Sequence, residues 1–307
     1  MSTLTAFAPH PAQRRALVQL TLGVCCLAAS PLLVRLSHVG PIASAFYRLL
    51  LAQPVLLLLM YGRLAGVPVR TPEAGRHHRV WAWVAGACLG LNLALWNQSL
   101  TMISVANATL IDNLAPVFIA LFAWFAFGER PGARLSAGML LAVGGASLLA
   151  LGESAGAGSG AVFEGHLIAL AGAVFYAAYF LALKPAMAGG RFETVMLESS
   201  LAATLTLAPL MLISGEHWWP QGWMAWGILL MMALCVHCAG QGLVGKGFAA
   251  LPASSASLLL LLQPVISAAL AWLMFGEALG ALQLAGASAV LAGLYWAGGG
   301  GHDQPRG

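Results

Sequence analysis

The sequence predicts an all-α integral membrane protein, with ten transmembrane helices arranged as two inverted five-helix repeats around a central cavity. Three observations carry that prediction. The stretch Ser104–Glu129 (SVANATLIDNLAPVFIALFAWFAFGE) returns 148 positions later as Pro252–Glu277 (PASSASLLLLLQPVISAALAWLMFGE), with 11 of the 26 aligned pairs identical. Composition accounts for some Ala and Leu matches, but not for Pro116/Pro264, Trp124/Trp272 or the closing Phe-Gly-Glu, so the chain reads as two copies of one unit. Of 307 residues 60% are hydrophobic and 8% charged, with mean hydropathy +0.85, whereas soluble domains carry about 25% charged residues. Finally, the basic residues fall in alternating loops.

A spanning helix needs about 20 mostly apolar residues, and ten runs qualify. Run 16–36 follows Arg14-Arg15, 42–61 opens after Pro41, and 80–99 follows Arg76-His77-His78-Arg79. Run 104–127 carries Pro116 at its middle, and 133–151 is lightened by Gly138, Gly144 and Gly145. After the Gly/Ser-rich segment 152–164 come 165–184, 194–214 and 222–243, the last preceded by Trp218 and Trp219. Runs 252–275, with Pro264, and 281–299, with Gly286 and Gly293, repeat the fourth and fifth. The first repeat is therefore residues 1–151, an external linker covers 152–164, and the second repeat is 165–307.

Arg14, Arg15, Arg63, Arg70, Arg76, Arg79, Arg130, Arg134, Lys184, Arg191, Lys246 and Arg306 are 12 of the 14 basic residues, and all lie on one side of this layout. The opposite loops contain none, which places both termini in the cytoplasm by the positive-inside rule. The expected setting is a bacterial-type cytoplasmic (inner) membrane. Five helices per copy is an odd number, so the second copy inserts upside down. Inverted repeats build their binding site near mid-membrane, between the halves, where one half rocks against the other. Helix 1 also matches helix 6, with Gly23 over Gly172 and Arg35 over Lys184.

An extramembrane catalytic domain and nucleic-acid binding are excluded. No loop is long enough for a catalytic domain, and no basic cluster interleaves with stacking aromatics as nucleic-acid binding requires. A membrane-embedded enzyme needs clustered His, Asp or Glu near one interface. The nearest approach, Arg76-His77-His78-Arg79, reads as a positive loop. The five cysteines sit in apolar runs and read as small buried hydrophobes. Cys235-Val236-His237-Cys238 has no second ligand pair at zinc spacing, so neither metal nor cofactor is expected. The expected partners are a small-molecule substrate and the lipid bilayer. Internal duplication supplies its own two-fold, so the expected state is a monomer.

The early Arg of helix 2 (Phe46-Tyr47-Arg48-Leu49-Leu50), the run Pro-Val-x-x-Ala-x-x-Ala-Trp-x-x-Phe-Gly-Glu common to the two copies and the small-residue helices that follow them resemble the EamA-type transporters of the drug/metabolite transporter superfamily. Length and layout are similar to its YddG-type aromatic amino acid exporter branch. The resemblance implies export of small organic solutes by alternating access, with amino acids bearing aromatic or other apolar side chains as the first candidates. Multidrug or quaternary-cation efflux is the alternative, and an integral membrane enzyme a more distant one. The small four-helix multidrug members carry a Glu in helix 1; helix 1 here has no acid.

Ionisable groups inside a membrane cost about 2.5–3.5 kcal/mol each at a helix centre and are functional candidates by default. Arg48 and Asp112 each lie about two turns inside the outer ends of their helices, at one depth, and are expected to form a buried pair. Either the pair meets a zwitterionic substrate or it is a structural clasp. Glu198 is expected to snorkel to the interface or to pair with Lys184, Arg191 or Lys246, and Glu129 and Glu277 read as exposed helix-end groups. Pro116 and Pro264 remove the amides that would pair with the carbonyls of Asp112 and Leu260, making symmetric kinks that could gate. Helical spacing puts Asn92, Trp96 and Ser99 on one face of helix 3 and Tyr176 and Tyr179 on one face of helix 6. It likewise aligns His237 with Gln241 and Ser254 with Ser257. An apolar cleft with aromatics and a few amides suits a solute with polar ends.

Overall fold

A computed structural model describes residues 11–64, 76–127, 132–157, 160–189, 191–244, 246, 262–277 and 280–298. The described residues form helices joined by short turns. In chain order they are α1 (Pro11–Ala28), α2 (Ser30–Leu36), α3 (Pro41–Leu50), α4 (Gln53–Leu64), α5 (Arg76–Ser99), α6 (Val105–Asp112) and α7 (Ala115–Phe127). There follow α8 (Ala133–Ala157), α9 (Gly160–Gly189), α10 (Phe192–Ile213), α11 (Gly222–Met231), the π-helical α12 (Met232–Gln241), α13 (Leu262–Phe275) and α14 (Ala281–Gly298).

Among the described residues six stretches are long and apolar enough to cross a membrane: Arg14–Leu36, Pro41–Met60, His77–Ser99, Gly160–Ala188, Phe192–Ile213 and Gly222–Val244. Shorter apolar helices accompany them. The chain is a multi-pass membrane protein, and its outside is apolar accordingly: Leu58, Phe125, Leu140 and Leu273 are all more than 70% exposed. Polar side chains lie within, among them Arg48, Asn92, Asn97, Ser200 and His237. Cys25 and Cys235, expected inside, are exposed on the apolar surface.

Among the described residues three apolar stretches are broken, and each break precedes a proline at the second position of the next helix. Pro31 follows the break at Ala29, Pro54 that at Leu51-Ala52, and Pro116 that at Asn113-Leu114. A proline has no amide hydrogen and clashes with the carbonyl four residues back, so the ladder reopens with a new first turn. The segment 152–164 departs from the expected linker. Helix α8 runs to Ala157 and α9 begins at Gly160, so most of it is helical. Its glycines cost about 1 kcal/mol each relative to alanine, which a helix continuing from a packed span can absorb.

Helix α5 is flanked by α9 and α10, α1 lies along α12, and α13 touches both α6 and α1. Helices α8 and α14 meet along glycine faces. A Cβ on Gly145 would come within 2.6 Å of Val290 N and 2.7 Å of Gly286 O. Conversely, a Cβ on Gly293 would come within 2.5 Å of Gly138 O and 2.6 Å of Ala142 N. Such small residues let helix backbones approach where lipid provides no hydrophobic drive.

Candidate substrate cavity

The break in α6/α7 and the start of α2 leave polar groups at one depth, and a cavity of about 40 Å³ opens there. Ser30 and Leu27 come from α2 and α1, Arg48 from α3, and Asn92 and Trp96 from α5. Asp112 from α6, Tyr176 from α9, Gln241 from α12 and Gln263 from α13 complete the polar lining. This volume holds a few water-sized groups.

Arg48 and Asp112 share that cavity but do not form the direct pair expected from their depth. Arg48 is 5% exposed; its Nη1 donates to Ser30 Oγ (3.1 Å) and its buried Nε has no partner among the described residues. Asp112 Oδ1 instead accepts from Asn92 Nδ2 (2.9 Å). The same Asn92 amide donates to Gly172 O (3.0 Å), so both its hydrogens are used. Depth along a helix follows from counting residues; the direction a side chain takes around the helix is decided by neighbours that counting does not supply.

The other expected cavity residues divide. Asn92, Trp96, Tyr176 and Gln241 line the cavity. Trp96 is 4% exposed and its indole Nε1 has no partner among the described residues. Tyr179 stacks parallel to Tyr176 with centroids 6.0 Å apart and is not part of the lining. Ser99 donates back to Trp96 O (2.7 Å) and is not part of the lining. His237 also parts from Gln241: it is 1% exposed and meets Ser200 Oγ at 2.7 Å through Nε2, on the side of α10. The π-helical winding of α12 changes the rotation per residue, so the α-helical i, i+4 expectation does not hold. Ser254 and Ser257 lie outside the described residues. Pro264 is buried beside the cavity residue Gln263, and Pro116 marks the α6/α7 break.

Sequence reasoning missed an outer layer of contacts. Glu277 is not a free helix-end group. It pairs with Arg35 and accepts from Val105 N–H (3.1 Å) at the first turn of α6. Arg35 also donates to the carbonyls of Leu100 (3.0 Å) and Ile103 (2.9 Å), and its guanidinium lies over the Phe275 ring. Glu216 caps the start of α3 by accepting from Ile42 N–H (3.3 Å) and Ala43 N–H (2.8 Å). A Cβ on Gly40 would sit 2.1 Å from Glu216 Oε2, so glycine is what lets the carboxylate reach the amides. Burial raises the Glu216 carboxyl above the ordinary glutamate value, against the lowering effect of those N–H groups. Glu198 pairs with Arg79 (3.0 Å), and not with Lys184, Arg191 or Lys246. Among the described residues no group of three His, Cys, Asp or Glu is arranged to hold a metal ion.

Comparison with known proteins places this architecture. The chain is 25% identical over 261 residues to the uncharacterized transporter YwfM of Bacillus subtilis (strain 168), covering 83% of each chain. It is 40% identical over 76 residues to a probable 4-amino-4-deoxy-L-arabinose-phosphoundecaprenol flippase subunit, ArnE, of Pseudomonas paraeruginosa (strain DSM 24068 / PA7). That match covers 25% of this chain and 66% of the flippase subunit. A solved crystal structure shares the fold, with TM-score 0.63 and 22% identity over 92% of this chain and 96% of the other. The EamA-like transporter family matches twice, over residues 14–151 and 163–298, and together these spans take in most of the sequence: the chain belongs to the EamA-like transporter family.

Proposed function

We propose that this membrane transporter exports small organic solutes, foremost amino acids with aromatic or other apolar side chains, from the cytoplasm across a bacterial-type inner membrane. The observation that carries the reading is the cavity. A guanidinium, a carboxylate and three amides that belong to five different helices converge there with Trp96 and Tyr176, and the two charges do not neutralise each other directly. A zwitterion with an apolar side chain meets those requirements. The cavity's 40 Å³ is smaller than such a solute, so loading requires the walls to part.

Alternating access between two inverted halves of five helices gives a route for that parting. The internal pairings support this arrangement. Gly145 sits on Gly286 and Val290, while Gly293 sits on Gly138 and Ala142, the repeat mates of those two residues. Gly23 faces Gly240 and Val244 as Gly172 faces Asn92 and Trp96. The double family match fits the same division. Both termini are cytoplasmic in this reading, and the functional unit is a monomer. The test is uptake into proteoliposomes with labelled amino acids and tetraphenylphosphonium, with and without a pH gradient. Transport of phenylalanine above empty liposomes is expected; transport of the cation with none of any amino acid overturns the reading.

A further inference from the structure

We infer that Arg48 and Trp96 form a carboxylate subsite on one wall of the cavity, so that the site selects solutes carrying an acid group and discriminates against cations that lack one. This rests on the reading that the cavity binds the transported solute. Two side chains in the lining are more than nine-tenths buried and retain an unsatisfied polar atom, Arg48 Nε and Trp96 Nε1. Both atoms are donors, and neither group can act as an acceptor. An ammonium or quaternary cation therefore satisfies neither. A group with two acceptor oxygens and a negative charge satisfies both and compensates the guanidinium, since hydrogen bonds between ionised partners are the strong ones.

The charge distribution agrees. Arg48 has no carboxylate within ion-pair distance among the described residues; its one bond is to the neutral Ser30 hydroxyl at 3.1 Å. A buried cation without a counter-ion is costly unless a partner arrives. Asp112, by contrast, is already held by Asn92 and keeps acceptor capacity, which suits the ammonium of the same solute. The 40 Å³ of open space matches a carboxylate head and not a whole amino acid, so the acid group is the part that fits before the walls separate. Neither Arg35 nor Arg79 offers a comparable site, since each is already paired with a glutamate.

The experiment measures binding to the full-length protein in detergent, by tryptophan fluorescence and thermal shift, and competition for transport in proteoliposomes. The compounds are L-phenylalanine, its methyl ester, 3-phenylpropionate and phenethylamine. The two acids are expected to bind on the order of 10- to 100-fold more tightly than the ester or the amine, as loss of a charged hydrogen bond implies. Arg48→Gln should bring acid and ester to parity. Trp96→Phe, which keeps an aromatic ring but removes the N–H donor, should narrow the gap several-fold, and Arg48→Lys should restore only part of it. Should Arg48→Gln fail to fold, Trp96→Phe and Arg48→Lys carry the test. Equal binding of acid and ester by the unaltered protein, or an acid preference untouched by Trp96→Phe and Arg48→Lys, overturns the subsite. If phenylalanine is not transported but 3-phenylpropionate binds in an Arg48-dependent manner, amino acid export falls and the subsite stands. If phenylalanine is transported and its methyl ester competes equally, export stands and the subsite falls.

Discussion

Replacing Gly145 by alanine tests a close backbone approach between two helices, and Gly144 provides the control one residue away. A Cβ at Gly145 would meet the backbone of α14 at 2.6 Å from Val290 N and 2.7 Å from Gly286 O, whereas one at Gly144 would meet nothing within 4 Å. Backbone atoms cannot swing aside as a flexible side chain can. Relief to an ordinary contact requires α8 and α14 to part by roughly 0.5–1 Å, which forfeits a quarter to a half of the dispersion well for each atom pair along the seam. The cost is expected at about 1–3 kcal/mol, the usual range for overpacking. Gly144→Ala should instead be neutral or stabilising by up to about 1 kcal/mol through helix propensity. Thermal unfolding in detergent reads the difference, at roughly 2–4 °C per kcal/mol. Gly293→Ala should match Gly145→Ala, because its Cβ meets Gly138 O at 2.5 Å. The double variant should cost less than the sum, since the first substitution has already separated the pair. If Gly145→Ala and Gly144→Ala melt at the same temperature, the reasoning from close backbone approach is refuted.

Ser267→Ala should lower stability by about 0.5–1.5 kcal/mol, because the fully buried hydroxyl donates to Ala28 O (2.9 Å) beside the α1/α2 break; melting curves measure it. Glu216 has a carboxyl value raised by burial, so its charging is less favourable in the folded than in the unfolded chain. Its contribution to stability is therefore complete below the ordinary glutamate value and declines as pH rises through the raised one. Glu216→Gln should remove that slope from a series of melting temperatures across pH. Arg79→Gln should change stability by less than about 0.5 kcal/mol at any salt concentration, since the Arg79 side chain is 66% exposed even while it holds Glu198.

The membrane character and most helix positions were legible because apolar run length and loop charge are local quantities. Placing Asn92, Trp96, Tyr176 and Gln241 at one cavity needed only helical spacing plus the repeat. What could not be read were choices among partners far apart in the chain. Arg35 finds Glu277 across 242 positions, and Glu216 reaches Ala43 across 173. Nothing local distinguishes a terminal glutamate that caps another helix from one that faces water. Ser30 and Gln263 were missed for a related reason: each has a small or neutral side chain in an apolar run, and its role depends on Arg48 or the cavity standing opposite. The Arg48–Asp112 expectation failed at the same point, where depth was countable and direction around the helix was not.

The proline-led breaks also bear on how an ionised solute can cross hydrocarbon at all. Moving a bare charge into a medium of low dielectric constant costs on the order of tens of kcal/mol by Born solvation. Pro31, Pro54 and Pro116 each deny an amide to a carbonyl four residues earlier, on Leu27, Leu50 and Asp112. Two of those residues, Leu27 and Asp112, line the cavity, so carbonyls denied a proline amide accompany its charged side chains. Irregular backbone at such depth is tolerated only where protein or water covers it. Carbonyl dipoles beside the charged side chains lower the cost of holding a charged group at that depth, which is what the proposed ionised solute requires.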